Sequence, residues 1–531
     1  MKGSVFVGSS VLKPHVSSWG YAFFLTVNAT SIWGGIFPFL PVGFQTAEVT
    51  LTFFLAQALA FWGAFCASAF GSYFFPREAR RMMVSLSALL IFSGSACLIG
   101  AMYLDDFTLV LVASGGVLLG VGCAGMFMLW QRYFASLPSE QGNLRLIMGT
   151  ALAPLSYFAL YLVPIAITAY LLPLLFVPLC GLCIALCARE MVTDQPMFED
   201  IPRQHPRVYR RVVKNYWRSA LCVASLAFAS GVIRGIALLH AEISTVVNIS
   251  SMLGSLVSAI VLLVLWFRIS FRFSLTSVFR VVYPLLITGF LLLPFLGASY
   301  LNIFSATTYM IFSLVLMLMM MQCAQISRDR GINPVFIYAF FGMIVYLMQS
   351  LGFLLGWLSD SIDFMGFDQM ALVAMVSSYV LGLTLFVASG TLFRPFSSLT
   401  ASDADPIEFL VLKGSEGKQD HRHEQAESTR DTPPEKGKRP PRRNRPSASQ
   451  DSGIIRDRVS KQCLVLKESY GLSLRETEVT ELIARGNSVA AIAERLVISE
   501  NTVRTHSKHI YAKLDIHRRQ DLLDMLKDLS L

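Results

Sequence analysis

Four side chains in the stretch SENTVRTHSKHIYAKL, residues 499–514, are spaced to act together: Arg504, Thr505, Lys508 and Ala512. At 3.6 residues per turn they share one helix face, while Val503, Ser507, Ile510 and Leu514 form the opposite, buriable stripe. The outward face offers two long cations, a methyl-bearing hydroxyl and no carboxylate. That set matches base-pair edges in a DNA major groove. Arg or Lys can donate to guanine O6 and N7, and a threonine methyl can meet a thymine methyl. The same face also fits an ordinary amphipathic surface helix, so its neighbours decide.

Those neighbours are helices in a fixed order. Residues 472–486, LSLRETEVTELIARG, carry an S-x-x-E capping box in Ser473 and Glu476 and stop at Gly486. Residues 488–497 make a second short helix, with Ala490, Ala491 and Ala493 for close packing. Ile498 turns the chain into the third helix, whose N-cap is Ser499. Residues 518–527 make a fourth, with Leu522, Leu523 and Leu526 on one side. The arrangement predicts a four-helix domain built on a helix-turn-helix.

Residues 472 to 525 resemble the LuxR/GerE-type DNA-binding domain. The resemblance is carried by Leu472, Arg475, Glu476, the run Ile492-Ala493-Glu494-Arg495-Leu496, Ser499, Asn501, Thr502, Val503, His506, Lys513 and Leu514. It implies that Arg504, Thr505 and Lys508 face base edges, and that Thr502 and Lys513, with Ser499, lie at phosphates. It also implies pairing of two copies through the last helix, by Leu522, Leu523 and Leu526. One departure is plain: Val489, Ala490 and Ala491 stand where relatives are often polar, which implies fewer backbone contacts from the second helix.

The preceding four hundred residues have another character. The chain is 54% hydrophobic and only 15% charged, far from soluble norms. Its apolar residues gather in blocks long enough to cross a hydrocarbon layer roughly 30 Å thick. Twelve are legible: 19–42, 49–75, 83–104, 107–130, 146–168, 170–188, 219–240, 245–267, 279–298, 303–323, 333–358 and 370–393. Arginines and lysines crowd alternate connections, as in Arg77, Arg80, Arg81, Arg132, Arg145, the run from Arg203 to Arg218, Arg268, Arg272, Arg328 and Arg330. The other connections hold Glu48, Asp105, Asp106, Glu242, Asp360, Asp363 and Asp368. By the positive-inside rule both termini are expected in the cytoplasm of a bacterial cell, with the bundle in its inner membrane. The first block lacks a cleavage pattern and reads as retained.

Six spans, a basic loop over 188–218 and six more spans resemble the major facilitator architecture. The loop after the second span, GSYFFPREARR, keeps a glycine and a basic pair of that superfamily's motif and lacks its aspartate. Fold alone does not imply transport.

Arg234, flanked by Gly231 and Gly235, is the membrane residue that asks for an explanation. Placed near the middle of the seventh span, it either anchors a ligand in a central cavity or is satisfied by carbonyls and Asn248 of the next span. Asn28, Gln131 and Gln322 read mainly as polar contacts between helices. The spans have no acidic residue at a helix centre, which argues against proton-coupled transport. The run Met317, Met319, Met320 and Met321 reads as adaptable packing, and Cys180, Cys183 and Cys187 as small apolar side chains, so no metal is expected.

From Phe396 the sequence turns to GSEGKQDHRHEQAESTRDTPPEKGKRPPRRNRPSASQDSG, too polar to build a core. It is expected to be a disordered basic leash that reaches of order 40 Å. The expected organisation is therefore an all-α chain: a 12-helix membrane sensor over 1–396, a linker over 397–460 and a helix-turn-helix head over 461–531. With no triad, phosphate loop or zinc motif, no catalysis and no cofactor are expected. The function this implies is a membrane-bound one-component regulator that binds promoter DNA and senses a small molecule. The alternative is a transporter with a fused regulatory head.

Overall fold

The computed structural model describes residues 14–30, 46–76, 84–191, 196–199, 202–204, 206–239, 241–268, 271–273, 275–359, 369–389, 407–409, 458–496 and 500–528. The membrane part is built from α1 (Val16–Asn28), α2 (Ala47–Phe74), α3 (Val84–Ala101), α4 (Thr108–Ser136), α5 (Ser139–Leu160), α6 (Ile165–Leu171) and α7 (Val177–Glu190). It continues with α8 (Pro206–Leu239), α9 (Ala241–Arg268), α10 (Leu275–Arg330), α11 (Pro334–Leu358) and α12 (Gln369–Ser389). Helices are what such apolar runs must form, because each backbone group then finds its partner inside its own segment. Between α6 and α7 the π-helical turn Leu172–Phe176 carries the chain past Pro173, which has no N–H to give the ladder.

Among the described residues, nine helices are long and apolar enough to cross a membrane. Three expected spans fall outside that group. The first is described only to Thr30. The fifth, α5, carries Glu140, Asn143 and Arg145 in its first two turns. The ninth is the shorter apolar run Val281–Leu296.

The 56 residues of α10 are not one rod. Tyr300 Oη donates to Gly289 O at 2.9 Å, and the Phe290 and Phe304 rings lie 4.8 Å apart. Fourteen residues of straight helix would separate those rings by about 21 Å. The chain therefore doubles back beyond Pro294, and α10 covers both stretches expected over 279–298 and 303–323, of which the second belongs to the nine.

The bundle is organised as two sets of helices. In the first, α1 packs on α5 and α2 on α4; in the second, α8 packs on α11 and α9 on α10. The sets meet through α2 against α11 and α5 against α9. Aromatic rings fill that seam, including Phe61 with Tyr346 at 4.6 Å and Phe65 with Tyr338 at 5.6 Å. At the arginine-rich end, Arg328 of α10 donates to Phe134 O at 3.1 Å and Leu137 O at 3.4 Å, capping the last carbonyls of α4.

α8 and α11 approach closely, and their sequence explains it. Gly231 and Gly235 face Gly352 and Gly356, two small-xxx-small pairs. A β-carbon at Gly231 would strike Gln349 O, and one at Gly352 would strike Phe228 O. What approaches Gly231 and Gly235 is thus the backbone of α11.

A short antiparallel pair joins β1 (Phe271–Phe273) to β2 (Ile407–Phe409), with Arg272 opposite Glu408. This strand falls inside the stretch expected to be unstructured; the rest of that stretch, to residue 457, lies outside the described residues.

The C-terminal head has its own core. Its helices are α13 (Arg458–Tyr470), α14 (Leu474–Ala484), α15 (Val489–Leu496), α16 (Glu500–Leu514) and α17 (Arg519–Asp528). The last four are those the sequence predicts. The first is additional: Cys463 and Leu466 are fully buried against Val479, Val503, Ile510 and Leu522. The Ser473–Glu476 capping box is formed in both directions, and Gly486 ends α14 at φ 93°.

Candidate functional site

Two cavities of about 70 Å³ each lie in the seam of the bundle. The first is lined by Asn28, Phe54, Gln57, Phe61, Phe127, Arg234, Tyr346, Gln349, Ser350 and Phe353, among others. Asn28, Phe127 and Tyr346 also line the second, beside Tyr21, Thr150, Ser251 and Met320. These three residues form the partition between the cavities.

Arg234 is held by Asn248, as the structural reading has it, and it also borders a cavity. It lines the first cavity, and its Nη1 donates to Asn248 Oδ1 of α9 at 2.8 Å. Its guanidinium carbon sits 5.1 Å from the Phe54 ring centroid, a cation–π contact. Its Nε is buried without a hydrogen-bond partner among the described residues. Within the described span of α8, Pro206–Leu239, Arg234 lies in the C-terminal half.

Other polar residues separate by role. Gln131 is a contact between helices, donating to Met320 O at 3.2 Å. Asn28, 3% exposed, keeps Oδ1 unpaired among the described residues and faces both cavities. Met317, Met319, Met320 and Met321 are buried, and the Met320 sulfur accepts from Tyr21 Oη at 3.0 Å. Cys180 and Cys187 are buried and Cys183 is half-buried; Gly20 of α1 packs at the Cys183 β-carbon. Sequence reasoning missed Gln57, Gln349 and Ser350, whose spacing carries no signal until α2 and α11 meet.

In the head, Val503, Ile510 and Leu514 are buried, whereas Arg504, Thr505, Lys508 and Ala512 are exposed together along α16. A groove of about 620 Å³ beside them brings in Asn487 and Arg519. Both also hold the end of α14: Asn487 Nδ2 donates to Leu482 O and Arg519 Nη2 to Ile483 O. Ser499 and the Thr502 side chain lie outside the described residues.

The family model described as bacterial regulatory proteins, luxR family, matches residues 471–526. Residues 471–526 form a luxR-type helix-turn-helix domain. The chain is similar to the oxygen regulatory protein NreC of Staphylococcus haemolyticus, 43% identical over 53 residues, which is 10% of this chain and 24% of that protein. It is also similar to the uncharacterized response regulatory protein YgeK of Escherichia coli, 37% identical over 71 residues, 13% of this chain and 48% of that one. The chain thus spans less than half the length of either curated relative. Among solved structures it is similar to a Major Facilitator Superfamily transporter, FucP, in the outward conformation. The TM-score is 0.44 at 15% identity, over 71% of this chain and 99% of that one.

Within the luxR-type head, several motif residues turn out to hold the fold. Lys513, expected at a phosphate, donates from Nζ to Glu476 Oε2 at 2.7 Å and to Gly471 O at 3.1 Å. The Lys513 ammonium and the Ser473 backbone N–H hold the Glu476 carboxyl down to about 2. Arg475 Nη2 caps α15 through Leu496 O at 2.8 Å. Leu522 and Leu526, expected at a dimer surface, are buried in the head's own core; of the three leucines only Leu523 is half-exposed. At 3.6 residues per turn, Leu523 falls on the flank of the face formed by Leu522 and Leu526.

Proposed function

We propose that this chain is a membrane-embedded one-component transcription regulator of a bacterial inner membrane, with both termini in the cytoplasm and no catalytic role. Its luxR-type head binds double-stranded promoter DNA, reading bases with Arg504, Thr505 and Lys508. Two copies pair on DNA through α17, with Leu523 as the contact. The bundle senses a small-molecule ligand at the Arg234 cavity. The observation that carries this reading is the exposed Arg504–Thr505–Lys508 face on the same polypeptide as a membrane bundle with a buried, cation-bearing cavity. A ligand acts through its difference in affinity between two states of that bundle.

The test is transcript profiling of a deletion strain carrying either the full chain or a full chain with Arg504→Ala and Lys508→Ala. A set of promoters that loses regulation in both the deletion and the variant supports the reading. Promoters restored by the variant would sink it. The transporter reading would gain if the deletion changed uptake of a solute and left transcripts alone.

A further inference from the structure

We propose that the Arg234 cavity takes a small organic monoanion with a flat apolar body and a hydrogen-bond donor at its far end, an assignment that rests on the sensor reading above. Arg234 is the one cation among the described lining residues of the two cavities, and no carboxylate is among them. It is 5% exposed, so its charge is withdrawn from water. Asn248 occupies Nη1 and Phe54 covers the guanidinium face. Among the described residues Nε has no acceptor, and a carboxylate at this edge of the guanidinium would supply one while neutralising the charge.

The walls specify the body. Phe54 and Phe61 of α2, Phe127 of α4, and Tyr346 and Phe353 of α11 surround the cavity with ring faces and edges. Such walls accept a planar apolar group and give a hydrated inorganic anion nothing to replace its water. The other end is specified by Asn28, whose buried Oδ1 is an acceptor with no donor among the described residues. It stands on the partition with Phe127 and Tyr346, so a ligand held at both ends lies along the seam between the two helix sets. Gln57, Gln349 and Ser350 add neutral polar groups to the wall of the first cavity, with Ser350 Oγ donating to Tyr346 O at 2.8 Å.

The full-length protein in nanodiscs tests this by calorimetric titration with three probes of one shape: 4-hydroxybenzoate, its neutral amide 4-hydroxybenzamide, and benzoate. The expected result is binding of the acid about tenfold or more tighter than the amide, and tighter than benzoate, which lacks the donor. Arg234→Gln should abolish the preference for acid over amide, Arg234→Lys should keep part of it, and Asn28→Leu should make the two acids equal. No acid preference in the unmodified protein, or one that survives Arg234→Gln, overturns the assignment. Competition by chloride alone at equal concentration would also overturn it, as an inorganic-anion site. The comparison of probes needs no variant, so a misfolded substitution does not decide it. Acid-selective binding with no transcriptional response would sink the sensor reading and leave the ligand assignment standing.

Discussion

Lys513 Nζ lies 2.7 Å from Glu476 Oε2, so the last turn of α16 is bolted to the capping box that begins α14. The glutamate side chain is 7% exposed and the lysine 41%. Removing the lysine leaves a nearly buried carboxylate with its backbone partner alone. Lys513→Met should therefore destabilise the head by about 1.5–3 kcal/mol, the worth of hydrogen bonds to charged groups. Thermal unfolding of a fragment beginning at Arg458 measures it; an unchanged midpoint would return Lys513 to the DNA surface.

The same pair sets an acid limit. The folded carboxyl is held at about 2 against an ordinary value of 4.5, so the folded head binds that proton less readily than the unfolded chain. Its contribution is complete above about pH 4.5 and is lost as pH falls toward 2. Stability of the wild-type head should decline through that window, and the decline should be shallower in Lys513→Met. Urea titrations at pH 5 and pH 3 compare the two.

Arg504 and Lys508 stand exposed on α16 while Val503 and Ile510 are buried behind them. Arg504→Ala and Lys508→Ala should each relax base preference, costing about 1–3 kcal/mol of discrimination where the contact is bidentate. Thr502→Ala should weaken binding equally on all sequences, as loss of a phosphate contact does. Selection of binding sites from random DNA separates the outcomes; identical profiles for Arg504→Ala and Thr502→Ala would refute the assignment of faces.

The α8–α11 crossing depends on having no β-carbons. Gly352→Leu must displace the Phe228 carbonyl region, and Gly231→Leu that of Gln349. Each should cost about 1–3 kcal/mol or more through overpacking and lower the thermal midpoint of the purified bundle. Gly63, with nothing within 4 Å of its would-be β-carbon, is the control: Gly63→Ala should be silent. Equal effects at Gly63 and Gly352 would show that the crossing is not set by close approach.

Orientation is checked by reporter fusions. Fusions at Asp105 should report the outside and fusions at Gly331 the inside, because arginines mark one set of connections and aspartates the other. A reversal at both sites would overturn cytoplasmic placement of the head.

The sequence by itself determined what depends on local rules. A run of twenty apolar residues must become a helix in lipid wherever it sits, and nine of the expected spans are found among the described residues. The Ser473–Glu476 box and the left-handed Gly486 are decided within one turn of chain, and both form as spaced. The burial of α16 followed its 3.6-residue period. Only the tertiary structure decided which partner each side chain meets. Arg234 could be read as anchor or as structural residue until α9 brought Asn248 and α2 brought Phe54. Gly231 and Gly235 could have admitted a ligand or a helix; α11 packs against both with its own glycines, and Gly231 also borders the first cavity. The family resemblance implied a phosphate contact for Lys513; only the fold showed that its Nζ also reaches Glu476, 37 residues away. Leu522, Leu523 and Leu526 share a stripe in sequence, and α13, which carries no signal strong enough to announce it, helps decide which of them is buried. Contacts between distant segments are set by how helices cross, and no window of sequence contains that angle.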